Sequence, residues 1–265
     1  MPEVDSTPQL ERIHTPRYLC FLRTAWDQWL ALGAANADVQ PFPSVWPVRT
    51  LRSDVEPANF TARLGLYSMD NGSPLSAGTW AAAKMAADAA ASAAQALQGG
   101  ERAAFCATRP PGHHAGPDFM GGYCFLNNAA VAAQALRDGG YAAWHVGKWH
   151  LGGEAYYPDK EGFDVNIGGC SWGHPHQGHF APYGLETLPE GPDGEYLTDR
   201  ITDEAIRLIR SHDGEKPFCL NLCHYAVHEP IQVKPEDRER FVRKARGLGL
   251  DQETALVEGE LMHTE

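Results

Sequence analysis

Apolar residues recur at helical spacing through PRYLCFLRTAWDQWLAL, residues 16–32, where Tyr18, Leu19, Leu22, Ala25, Trp26 and Trp29 share one face. That pattern predicts an amphipathic helix. A proline-rich connection, VQPFPSVWPVR, follows and reads as loop. The stretch from Ser76 to Gly100 is a long alanine-rich helix, with Ser76 or Thr79 as its cap and Gly99–Gly100 as its stop. RAAFCAT (102–108) reads as a short apolar strand and RPPGHHAGPDFMGGY (109–123) as a rigid Pro/Gly loop. NNAAVAAQALRDGG (127–140) is a further helix with a glycine stop, and YAAWHVG (141–147) a further strand. Helix and strand alternate, the grammar of an α/β fold with a mostly parallel sheet flanked by helices.

Past residue 147 the same grammar continues more loosely. Residues 156–194 form a long turn-rich insertion. EYLTDRITDEAIRLIRSH (195–212) is amphipathic helix, and KPFCLNLCHYAV (216–227) reads as a buried strand with HEPIQV as its polar exit. KPEDRERFVRKARGLGL (234–250) is a charged surface helix. No internal repeat or low-complexity linker interrupts the chain.

Charge adds a boundary to this picture. The formal net charge is −12, which argues against a nucleic-acid partner. Residues 1–140 carry 12 acidic and 10 basic side chains, whereas residues 141–265 carry 22 and 12. The acidity therefore changes at the Gly139–Gly140 turn, and the expected division is 1–140 and 141–265. No apolar run reaches the roughly 20 residues of a membrane span, so no membrane partner is expected. The opening residues lack a signal pattern, and six cysteines without a C-x-x-C pair read as buried reduced thiols. A cytoplasmic location fits these features. Oligomeric state is left open.

Candidate chemistry lies in two places. His113 and His114 follow Pro110, Pro111 and Gly112 at the end of an apolar strand, where parallel sheets place their ligand crevice. Proline restricts the loop, and imidazole exchanges protons near neutral pH, so a pre-positioned pair suits acid–base work. Further on, Lys148 and His150 flank Trp149, and on an extended segment both project the same way. A cation beside an imidazole suits an anionic group such as a sulfate or phosphate ester. His174, His176 and His179 in GHPHQGH have metal-like spacing, but a Gly/Pro-rich variable loop is the preferred reading.

RPPGHHAGPDFMGGYCFLNNAAVAAQAL resembles the histone-deacetylase-like family, and within it the acetylpolyamine amidohydrolases. The likeness spans about residues 10–140, through ARLGLYSMDNGSPLSAGTWAAAKMAADAA and ERIHTPRYLCFLRTAWDQW. It implies an arginase/deacetylase-type fold, a zinc cofactor and an acetylated-amine substrate. By it, His113 and His114 are the tandem catalytic histidines, and Gly122 and Tyr123 wall the acyl channel. The family's next strand ends in an aspartate-rich zinc motif, D-x-D-x-H-H, and this chain contains no D-x-H. Without three ligands zinc has no seat and cannot activate water.

From about residue 138 the chain resembles a type I sulfatase of the alkaline-phosphatase-like superfamily, on GYAAWHVGKWHLGG, YYPDKEGFDVNIGG and KPFCLNLCHYAVHEPIQ. That resemblance implies that Lys148, His150 and His228 contact a sulfate ester, with calcium as the cofactor and His224 as packing. Sulfatases take their nucleophile from a C/S-x-P-x-R motif, and none of the six cysteines here lies in one. Both expected sites are hydrolytic and each lacks the group that makes the attack. The expectation is a recombined, weakly active or inactive hydrolase-derived chain, joined where one helix–turn–strand grammar serves both families. The alternatives are an active deacetylase-like enzyme, with metal recruited by His145, His150 or the 174–179 cluster, and a sulfuric ester hydrolase.

Overall fold

The computed structural model describes residues 2–47 and 54–249. Seven α-helices and three strands are defined among these residues, and the chain divides into two compact units. The first comprises residues 1–143, 159–163 and 216–219, and the second 144–158, 164–215 and 220–265. None of the described helices is long and apolar enough to cross a membrane.

The first unit is helical. Helix α1 (Thr7–Ile13) leads into α2 (Pro16–Ala31), which starts with Thr15 accepting from the Tyr18 N–H and proline in its first turn. Helix α3 (Phe60–Leu66) is capped by Asn59, whose side chain accepts from Ala62 N–H at 3.0 Å. The alanine-rich helix is α4 (Thr79–Gln98), with Gly78 at its N-cap and Gly99 at its C-cap. Helix α5 (Asn128–Asp138) begins where the Asn127 side chain accepts from Ala130 N–H at 3.1 Å. Ala83, Ala87, Ala90, Ala91 and Ala94 are buried along α4, so their small side chains let α5 and its neighbours come close. The core joins Ala83, Ala87, Ala90 and Ala91 to Leu10, Tyr18, Phe21, Leu22, Leu64, Tyr67, Met120, Leu126 and Val131. Arg12 ties α1 to the end of α5 through Asp138 at 2.7 Å.

One sequence expectation changes here. RAAFCAT forms no strand, and Phe105 and Cys106 lie exposed, Phe105 at 93%. A strand exists only through its ladder, and the pattern of residues 102–108 cannot supply the neighbour that would pair with it. The proline-rich connection is non-helical after a short 3-10 turn at Ala34–Asp38, and its last residues lie outside the described residues. Helices α1 and α3 were not anticipated. Both are seven residues long, too short for their pattern to stand out.

The sheet has the order β2-β1-β3, with β1 Ala142–Gly147, β2 Val165–Ile167 and β3 Phe218–Cys223. Strands β1 and β2 are parallel, with Trp144 opposite Val165 and Val146 opposite Ile167. Ala142 N–H donates to Pro217 O and Lys148 N–H to Cys223 O, so β3 runs the same way. Strand β1 is the buried centre. Strand β3, expected to be buried, is a half-exposed edge, because among the described residues β1 is its one neighbour and Phe218 and Leu222 are exposed. In the second unit Val146, Cys170, Tyr183, Leu188 and Tyr225 pack with Leu197, Ile201 and Ala205 of α6 (Leu197–Ser211). Helix α7 (Pro235–Gly247) is the charged surface helix that its sequence predicts. All six cysteines are free thiols, but of the six expected to be buried Cys124 and Cys170 are, while Cys219 and Cys223 are half-buried and Cys20 and Cys106 exposed.

Candidate functional site

In the first unit the loop that carries His113 and His114 is held from several sides. Asn128 Nδ2 donates to Pro111 O at 2.8 Å, and Gly112 N–H donates to Cys124 Sγ at 3.1 Å. Asn127 Nδ2 donates to Ala115 O at 3.3 Å. Behind the loop, buried His14 accepts from Asn127 N–H on Nε2 at 3.1 Å, so its Nδ1–H donates to Gly116 O at 2.9 Å. Burial lowers the His14 pKa to about 4, which keeps that ring neutral as a brace. The His113 and His114 rings lie 4.3 Å apart between centroids, tilted by 47°.

Gly122 passes directly over His114. A Cβ there would come within 2.6 Å of His114 Cδ2, so glycine is what permits the approach. Its N–H donates to Asp70 Oδ2 at 2.9 Å, while Asp70 Oδ1 accepts from Gly72 N–H at 2.7 Å. Tyr123, at φ 66°, sits in the left-handed region and is 71% exposed. It lines an open cleft of 520 Å³ with Pro74, Thr108, Arg109, Pro110, Pro111 and Phe125. The first unit thus brings together His113, His114, Gly122 and Tyr123, and supplies an apolar cleft beside them.

Among the described residues the donors near this loop do not fit the zinc ion that the deacetylase resemblance implies. The Asp70 carboxylate is committed to backbone N–H groups on both oxygens. Cys124 is kept as a thiol by burial. His145, on the strand where the family resemblance puts its metal motif, is fully buried, with Nε2–H donating to Gly147 O at 3.0 Å and Nδ1 accepting from Asn221 Nδ2 at 3.0 Å. Among the described residues no group of three or more His, Cys, Asp or Glu side chains is placed to hold a metal, which applies equally to the calcium expected from the sulfatase resemblance.

The second unit gathers Lys148, His150 and His228. Gly147, at φ 108°, turns the chain out of β1, and a Cβ there would strike Cys223 O at 1.7 Å. That turn lets Lys148 N–H donate to Cys223 O at 2.7 Å. His150 also has positive φ, 64°, and its N–H donates to Cys170 O at 3.0 Å. Among the described residues Tyr123 and His150 are the two non-glycine positions with positive φ, and both were singled out by sequence. Burial lowers the pKa of Lys148. Burial, followed by the charges of Lys148, His228 and His174, lowers that of His150. His228 is lowered by burial and then by Lys148 and His174. Sequence reasoning set His174 aside with its loop, yet its ring stacks on His228 with centroids 5.6 Å apart.

The fold that carries these residues is α/β with a parallel sheet. The histone deacetylase domain matches residues 2–144, more than half of the chain, and the chain belongs to that family. It is 48% identical over 131 residues to acetylpolyamine amidohydrolase 2 of Pseudomonas aeruginosa, a match covering 49% of this chain and 37% of that protein. It is 43% identical over 129 residues to the acetylpolyamine amidohydrolase of Mycoplana ramosa, again covering 49% of this chain and 37% of the relative. The chain therefore spans a little over a third of the length of these curated relatives. A weaker likeness, 30% identity over 126 residues, links 42% of the chain to 21% of mouse (Mus musculus) arylsulfatase J. Among solved structures, an acetylpolyamine aminohydrolase from Burkholderia pseudomallei shares the fold with a TM-score of 0.54 at 22% identity, over 91% of this chain and 73% of that one.

Proposed function

We propose that the chain is a recombined member of the amidohydrolase lineage. Residues 1–140 keep the acyl-amine end of a deacetylase-like site, residues 141–265 derive from a sulfatase-like protein, and acetylated amines are bound but not turned over. The observation that carries this reading is strand β1. It follows α5, where the family resemblance puts its aspartate-rich metal strand, and its one ionisable side chain, His145, has both ring nitrogens engaged within the protein. His113 and His114 can accept or donate protons in this arrangement, and Gly122 and Tyr123 can shape an acyl group's surroundings. Zinc, when held, would activate the attacking water, and the donors among the described residues do not hold it.

The test is metal analysis of the purified chain supplied with zinc, paired with an assay on an acetylated diamine. Substoichiometric zinc and no turnover are expected. Stoichiometric zinc with turnover that disappears in His113→Ala would instead establish an active amidohydrolase.

A second reading, sulfuric ester hydrolysis, is favoured by the convergence of Lys148, His150 and His228, which suits a sulfate ester. The sequence holds no formylglycine precursor, since neither a cysteine nor a serine lies in the required motif. Release of sulfate from an aryl sulfate, abolished by Lys148→Ala, would support it; no release from the intact chain would eliminate it.

A further inference from the structure

We propose that His174 is an anion-binding residue, which joins Lys148, His150 and His228 to form a four-membered receptor for a tetrahedral oxyanion of the sulfate or phosphate type. The inference rests on the second reading for the placement of Lys148, His150 and His228, but binding requires no turnover. Two loops of the second unit meet here. One carries residues 172–179 and the other residues 224–232. Besides stacking on His228, the His174 ring lies 4.6 Å from that of His176, which is itself stacked 4.0 Å from Trp172. The adjoining Gly173 lies flat against His150. A Cβ at that glycine would reach within 2.4 Å of His150 Cε1 and Nδ1.

Both loops are held in place from behind. His179 is buried, and its Nε2–H donates to His228 O at 3.0 Å. Its own N–H donates to Gln232 Oε1 at 2.6 Å, and Tyr196 Oη–H donates to Gln232 O at 3.1 Å. The rings are therefore positioned before any ligand arrives, which lowers the entropy that binding must overcome.

The charge pattern identifies the ligand. His150 faces Lys148, His174 and His228, and His228 faces Lys148, His174 and the Glu229 carboxylate. Lys148 faces the Cys223 thiol, which burial keeps protonated. One ammonium and three imidazoles thus meet with Glu229 as the carboxylate beside them. Such groups repel one another when protonated, and an oxyanion placed among them relieves that repulsion while accepting their hydrogen bonds. Burial and neighbouring charge disfavour the charged forms of His150 and His228, and a bound anion favours them, so affinity falls as pH rises.

The experiment is calorimetric titration of the full chain with sodium sulfate, and separately with inorganic phosphate, at pH 6, 7 and 8. Sodium chloride matches the ionic strength, and two buffers of different ionisation enthalpy count protons. The expected result is saturable binding with proton uptake. His174→Ala weakens it by about tenfold, the value of one charge-assisted hydrogen bond. His174→Gln keeps a hydrogen-bonding side chain, so it recovers part of the affinity that His174→Ala loses. Thermal melting of each variant separates lost binding from lost folding. Wild-type affinity and proton uptake in a folded His174→Ala variant would overturn the proposal. So would the absence of saturable binding by the wild type. Sulfate binding without aryl-sulfate hydrolysis defeats the second reading alone, and hydrolysis unaffected by His174→Ala defeats this inference alone.

Discussion

Glu161 offers a sharp measure of how well the sequence suits its fold. It lies in the turn at 158–162, buried to 8% exposure in the first unit, and Gln134 Nε2 donates to its main-chain oxygen at 3.2 Å. Burial raises its side-chain pKa from 4.5 to about 8. The sign follows directly. The unfolded chain releases this proton near pH 4.5, while the folded chain holds it until about pH 8. The group therefore subtracts nothing from stability below 4.5, and an increasing amount as pH rises toward 8. Linkage between those two values gives a loss of about 3 kcal/mol at pH 7. Glu161→Gln keeps the shape of the protonated acid and cannot ionise. Urea unfolding of wild type and variant at pH 5, 6, 7 and 8 should therefore show little difference at pH 5. At pH 7 the variant should be more stable by about 3 kcal/mol, with a wider gap at pH 8. A difference that stays flat across that range would refute the assignment of the penalty to burial of Glu161.

The other expectations probe the supports of each site. His14 and His145 both have pKa values lowered to about 4, so their contribution is complete above 6.5 and lost as pH falls through 4. His14→Ala orphans the Asn127 N–H and Gly116 carbonyl; it should cost about 2–4 kcal/mol at pH 7 and soften the acid unfolding limb, both read from denaturation at several pH values. Ala87→Leu overfills the contact face of α4, and an expected loss of about 1–3 kcal/mol is checked by the melting temperature. Gly147→Ala meets both a positive φ and the Cys223 carbonyl; it should lose about 3 kcal/mol and weaken sulfate binding through displaced Lys148, by melting and titration together.

The histidine pair, the Lys148–His150 alternation and His228 stand out in the sequence because each belongs to a short, ordered motif. The structure groups each set within its own unit. His174 was not legible as a partner of His228, since about fifty residues separate them and only the stacking of two loops brings their rings together. Asp70 and Cys124 carried no chemical motif, and their roles around Gly122 and Gly112 come from folding of the chain over itself.

From local pattern alone come the long helices, the central strand β1 and the turn at Gly139–Gly140, because each depends on neighbours a few residues away, whereas the cap expected of Ser76 or Thr79 falls instead on Gly78. The rest required tertiary structure. Residues 102–108 read as strand but find no ladder, β3 reads as buried but lies at an edge, and His145 reads as a possible ligand but is spent on Gly147 and Asn221. In each case the deciding groups are distant in the chain. Pairing, burial and ligand availability are properties of what surrounds a residue, and a linear pattern does not contain them.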